Sequence, residues 1–92
     1  MPALSRKIKG VSLILTCPEF PEQYNVYIGD KLVACFHLRH GIFRARDSNN
    51  LEFFTCFTIR DEFDSEEERT YVLTHAVDVL LATHTTPIIS MF

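Results

Sequence analysis

Turn-forming residues interrupt the first two thirds of the chain at Gly10, Gly29-Asp30, His40-Gly41 and Asp47-Ser48-Asn49-Asn50. The stretches between them are short and rich in β-branched and aromatic residues. This spacing leaves room for strands and hairpins but for no crossover helix. Neighbouring strands are therefore expected to pair in sequence as an antiparallel meander.

The first strand reads as Val11 to Cys17, and Pro18-Glu19-Phe20-Pro21 after it as a loop, because two prolines cannot continue a ladder. Gln23 to Ile28 alternates, with Tyr24, Val26 and Ile28 on one face and Asn25 and Tyr27 on the other. Lys31 to Leu38 places Leu32, Ala34, Phe36 and Leu38 opposite Val33, Cys35 and His37. Ile42 to Arg46 puts Arg44 and Arg46 on one side. Leu51 to Arg60 sets Phe53, Thr55, Phe57 and Ile59 against Phe54, Cys56 and Thr58.

The period then changes. Ser65-Glu66-Glu67-Glu68 matches a capping box: the Ser65 hydroxyl accepts from the Glu68 N–H, and the Glu68 carboxylate returns to the Ser65 N–H. Three glutamates in the first turn also suit the positive end of the helix dipole. Val72, Leu73, Ala76, Val77, Val79 and Leu80 then form an apolar stripe at helical spacing, with Glu67, Thr70, Thr74 and Asp78 opposite. The helix is expected from Glu66 to Ala82 or His84. At about 1.5 Å per residue it spans roughly 25–28 Å, enough to cross a sheet. Thr85 to Phe92 contains Pro87 yet is apolar, which suggests a docked end or a short edge strand.

The expected fold is α+β: an antiparallel meander of about five strands with one C-terminal helix packed across one face, in a single domain over residues 1–92. The other face would carry Val33, Cys35, Tyr27 and Phe54 or Phe53. That surface is apolar enough to call for either a partner or cover from the N-terminal segment or the C-terminal tail.

The chain has 92 residues and three cysteines, an odd number that excludes a complete disulfide framework. The thiols lie within strand-like runs, as reduced core cysteines do. The apolar run Val11 to Leu15 is too short for a secretory signal or a membrane span. A cytoplasmic protein is expected, with no membrane partner.

The candidates for chemistry are few. Cys35, His37 and His40 lie close together, but there is no CxxC and no second tight pair to complete a zinc site. No cysteine stands at a helix N-terminus, where a thiolate is stabilised. Gly10, Gly29 and Gly41 each fit a turn, and none belongs to a phosphate loop. No catalytic residue, cofactor, metal or small-molecule substrate is expected.

Charge is the more informative signal. The net charge is −3, but residues 1–46 hold seven Lys/Arg against three acids, a balance of +4, and residues 47–92 stand at −7. The acids concentrate in Asp61, Glu62, Asp64, Glu66, Glu67 and Glu68 around Phe63. As a solvated helix start, this segment would use Phe63 as a staple. As an interface, its carboxylates would meet a Lys/Arg-rich partner. The segment from Arg39 to Arg46, with Phe43 among Arg39, Arg44 and Arg46, combines cations and an aromatic as nucleic-acid surfaces do, although Arg44 and Arg46 also fit an ordinary solvent-facing strand.

A small, mildly acidic chain with no catalytic set, no secretion signal, an acidic run beside an aromatic and a meander-plus-helix pattern resembles the phage-encoded anti-CRISPR proteins. It is similar in length and pattern to inhibitors of the type I-F surveillance complex. These inhibitors share no motif, so the resemblance transfers no residue by position. It implies a non-enzymatic inhibitor in the host bacterial cytoplasm that occupies the Lys/Arg-rich groove where guide RNA and target DNA pair. On chemistry, Asp61, Glu62, Asp64, Glu66 and Glu67 would face the basic protein surface. Arg39, Arg44 and Arg46 would touch guide RNA or acidic side chains, and Phe63 and Phe43 would be anchors. The alternative is a small nucleic-acid-binding module using the basic hairpin from Arg39 to Arg46.

Overall fold

The computed structural model describes residues 3–17 and 22–85. Its strands are β1 (Arg6–Ile8), β2 (Val11–Cys17), β3 (Glu22–Ile28), β4 (Lys31–Arg39), β5 (Ile42–Asp47) and β6 (Glu52–Phe57), followed by helix α1 (Glu66–Thr85). The strands form one antiparallel sheet in the order β1-β2-β3-β4-β5-β6, the expected α+β meander with one strand more than anticipated.

The extra strand is β1, which pairs with β2 from Arg6 opposite Leu13 to Ile8 opposite Val11. The turn between them is Lys9-Gly10, with φ of 50° and 82°. His40-Gly41 repeats it between β4 and β5, with φ of 55° and 75°. Positive φ at both central positions is the type I′ geometry, whose twist matches that of paired strands. Between β5 and β6 the Asp47 side chain accepts the N–H groups of Asn49 (2.8 Å) and Leu51 (3.0 Å), so one carboxylate organises the loop. The strand expected from Leu51 to Arg60 is shorter, Glu52–Phe57.

The register shifts at three places, at Thr16 in β2 and at two bulges that set which side chains of β4 and β6 face the helix. Val26 pairs with Ala34 but Tyr27 pairs with Leu32, so Val33 is the additional residue of β4. Ala45 pairs with Phe54 but Arg46 pairs with Glu52, so Phe53 is the additional residue of β6. Each bulge breaks strict alternation. Val33 is therefore buried, while Leu32 turns to the open face and is 47% exposed. Phe53 and Phe54 both pack on the core, edge-on to Phe36 and Phe43 respectively. The open face therefore carries Tyr27 and Cys35 of the expected set, and not Val33, Phe53 or Phe54.

Helix α1 buries Val72, Leu73, Ala76, Val77 and Leu80, with Val79 half-buried. These pack with Val11, Leu13, Tyr24, Val26, Phe36, Leu38 and Phe43 in one core. At its start, the Glu68 N–H donates to Ser65 Oγ at 3.0 Å. The Glu68 carboxylate accepts from the Asp64 N–H, one residue earlier than the reciprocal cap would have it. Replacing Ser65 by alanine is expected to lower stability by about 1 kcal/mol, read as a lower urea midpoint at unchanged slope.

Cations of the first hairpin hold the helix. Arg6 pairs with Glu66 at 2.9 Å and donates to Thr70 at 3.1 Å, and Lys9 pairs with Asp78. The Leu15 N–H donates to Ser5 Oγ at 2.7 Å, so the N-terminal segment runs along β2 rather than over the open face. The Pro18 to Pro21 loop and the docking of the C-terminal tail beyond residue 85 lie outside the described residues.

Candidate functional site

The acidic segment keeps its carboxylates outside, with Asp61, Glu62, Asp64, Glu66 and Glu67 exposed, but turns its aromatic residue inward. Phe63 is 5% exposed; it packs against Phe43 and lies beneath the Arg69 guanidinium, 5.6 Å from its ring centre. It staples the helix start, with the cation of the first helical turns in place of an apolar partner. Phe43 is 1% exposed. Neither ring is available as an interface anchor.

Several carboxylates of the segment have internal partners. Glu66 accepts from Arg69 at 2.7 Å as well as pairing with Arg6. The hydrogen bond from Arg69, with Arg6 beside it, holds the Glu66 carboxyl below its ordinary range. Asp64 lies 3.7 Å from Arg60. Asp61, Glu62 and Glu67 are exposed and form no ion pair among the described residues.

Glu22 and Arg69 form a network that sequence reading passed over. Both are buried, at 5% and 4% exposure. Arg69 Nε and Nη2 donate to the two Glu22 oxygens at 2.9 and 3.0 Å, a bidentate pair, and the Tyr24 hydroxyl donates to Glu22. Burial, and then Glu22, raise the Tyr24 phenol far above its usual range. This network joins strand to helix and offers no open side to a ligand.

The open face of the sheet has a different character. Pairing places Arg46 between Cys35 and Glu52, Arg44 between His37 and Thr55, and Ile42 between Arg39 and Phe57. Tyr27 lies between Ser12 and Leu32, and Lys7 is opposite Ser12. Side chains opposite each other in antiparallel strands share a face, with Cβ atoms about 4.5–5.5 Å apart. One surface thus carries Lys7, Arg39, Arg44 and Arg46 with the rings of Tyr27 and Phe57. Phe57 is 78% exposed. The carboxylate among them is Glu52, 3.2 Å from Arg44. Arg39 and Arg46 have no ion-pair partner among the described residues.

At the centre, His37, Arg39, His40, Ile42, Arg44 and Arg46 line a shallow depression of about 300 Å³. His37 Nε2 is buried there without a hydrogen-bond partner. Burial, and then the guanidiniums of Arg46, Arg44 and Arg39, hold the imidazole below its ordinary pKa. His40 reaches the same depression because its left-handed turn conformation ends β4 there. Burial pushes the neighbouring Cys35 thiol up, away from thiolate, although Arg46 opposes it, and burial does the same to Cys56.

Of the residues singled out from sequence, the fold brings Arg39, Arg44 and Arg46 together and turns Phe43 and Phe63 inward. It adds Tyr27, His37, His40 and Phe57. Cys17, Cys35 and Cys56 are free and half-buried. Among the described residues, no group of three or more His, Cys, Asp or Glu side chains is placed to hold a metal ion, and no helix is long and apolar enough to cross a membrane. No known protein family, curated protein or solved structure matches this chain.

Proposed function

We propose that the protein is a small, non-enzymatic nucleic-acid-binding module that engages its ligand with the open face of its sheet. The observation that carries this reading is the gathering of Arg39, Arg44, Arg46 and Lys7 with two exposed-face aromatic rings around a single carboxylate. Guanidiniums match phosphate geometry and remain charged at any working pH. Aromatic rings offer stacking area to bases. The helix side concentrates the acids, so the mild net charge of −3 does not describe the surface that would meet the ligand. Titration of a labelled RNA oligonucleotide at low salt tests the reading. Binding should weaken linearly in log–log form as salt rises, because bound cations displace condensed counterions. An RNA that stays unbound at the lowest salt ends the proposal.

A second reading keeps the anti-CRISPR resemblance. Asp61, Glu62 and Glu67 are exposed and form no ion pair among the described residues. An inhibitor docked in a surveillance ribonucleoprotein would set these acids against Lys/Arg side chains and the arginine face against guide RNA, blocking target hybridisation. Reversing Asp61, Glu62 and Glu67 to lysine should then slow association with the complex by on the order of 10-fold or more. An unchanged association rate for the folded variant removes this reading.

A further inference from the structure

The open face has a direction as well as a charge. Tyr27 lies in one row of the sheet; the row holding Arg46 comes next, then the row of His37 and Arg44, then the row of Arg39, Ile42 and Phe57. Successive rows on a face are two residues apart and adjacent strands are about 4.8 Å apart, so Tyr27 and Phe57 are separated by about 20 Å along the strands and about 14 Å across them. The two rings mark the ends of a diagonal, and the guanidiniums and the unpartnered His37 Nε2 lie between them. Neither ring contacts another aromatic among the described residues; Phe57 is 78% exposed and Tyr27 is half-buried.

We propose that this diagonal is a track for single-stranded nucleic acid, with unpaired bases stacked on Tyr27 and Phe57 and the intervening phosphates over Arg46 and Arg39. The inference rests on the open-face reading and narrows it to strands whose bases are free. A base in a duplex has both faces occupied by its neighbours and cannot lie on a side-chain ring. A duplex could reach the arginines but not the stacking contacts. Arg44 is tied to Glu52, so Arg46 and Arg39 are the cations free to meet phosphate.

Fluorescence anisotropy with a labelled oligo-uridine of about 8 nucleotides, inside the usual site-size range of such surfaces, and with an RNA duplex of equal length tests this. The single strand should bind more tightly. Phe57→Ala and Tyr27→Ala should each weaken it by about 5- to 150-fold, the stacking contribution per base, and leave duplex binding unchanged. Phe57 is 78% exposed, so its replacement does not endanger the fold. Tyr27→Phe should retain single-strand binding, since the ring and not the hydroxyl stacks. Equal affinity for the two ligands, unaltered by Phe57→Ala, overturns the track but leaves the basic-face reading standing. Absence of binding to either ligand at low salt overturns both.

Discussion

Replacing Arg69 by leucine is expected to lower the stability of the protein by about 3–5 kcal/mol, the usual consequence of stranding one member of a buried ion pair. Glu22 is 5% exposed, and the two donors that neutralise its carboxylate belong to Arg69, with the Tyr24 hydroxyl as a third. Without Arg69 the carboxylate remains in the core and must either stay charged without a cation or take up a proton. The double replacement of Glu22 and Arg69 by leucine should lose less than the Arg69 variant alone. Its residual cost is the Tyr24 hydroxyl, about 1–3 kcal/mol if left without an acceptor. Urea unfolding of the three proteins gives the comparison. The same network predicts alkaline behaviour. Burial and the adjacent Glu22 raise the folded-state pKa of Tyr24 above its unfolded value. Its contribution is therefore fully present below about pH 10 and is lost as pH rises beyond that, because the unfolded chain ionises first.

The second large effect concerns binding. The triple variant Arg39→Ala, Arg44→Ala, Arg46→Ala is expected to remove most of the affinity for nucleic acid and much of its salt dependence. Each phosphate contact contributes about 0.7 to the log–log slope for a single strand, so losing the contacts of Arg39 and Arg46 makes it shallower by about 1.4. The fold should survive: Arg39 is exposed, and the Arg44–Glu52 pair is a surface contact whose loss costs about 0–1 kcal/mol. Lysine at the same three positions should keep most of the slope while losing affinity, because ammonium groups supply charge without the bidentate fork. A triple alanine variant that binds with an unchanged slope would place the phosphate contacts elsewhere.

Much of the fold was legible because hairpins are local. Gly29-Asp30, His40-Gly41 and Asp47 to Asn50 announced three of the turns, and the Ser65 cap and the stripe from Val72 to Leu80 announced the helix. Strand β1 escaped because it is three residues long and its turn begins with Lys9, a residue that gives no turn signal. The face assignments failed at Leu32, Val33 and Phe53 for one physical reason. A bulge inserts a residue, and a one-residue slip sends side chains to the opposite face. No alternation pattern marks such a site in advance.

The binding surface was legible in part. Arg44 and Arg46 share a face by simple parity, and Arg39 joins them through the His40-Gly41 turn. The aromatic residues misled, because Phe43 and Phe63 adjoin charges in sequence yet point into the core. The rings that remain outside, Tyr27 and Phe57, come from strands three positions apart in the sheet. Nothing in the sequence marks Glu22 as buried, because its partner, Arg69, lies 47 residues away.

The most direct test of the open-face site is a ¹⁵N-HSQC titration of the folded protein with a single-stranded RNA at low salt. Perturbed amides should cluster on strands β4, β5 and β6, at residues such as Cys35, His37, Arg39, Arg44, Arg46 and Phe57, with Tyr27 among them. Shifts confined to residues 61–68 and the first turns of α1, with the sheet unaffected, would contradict it.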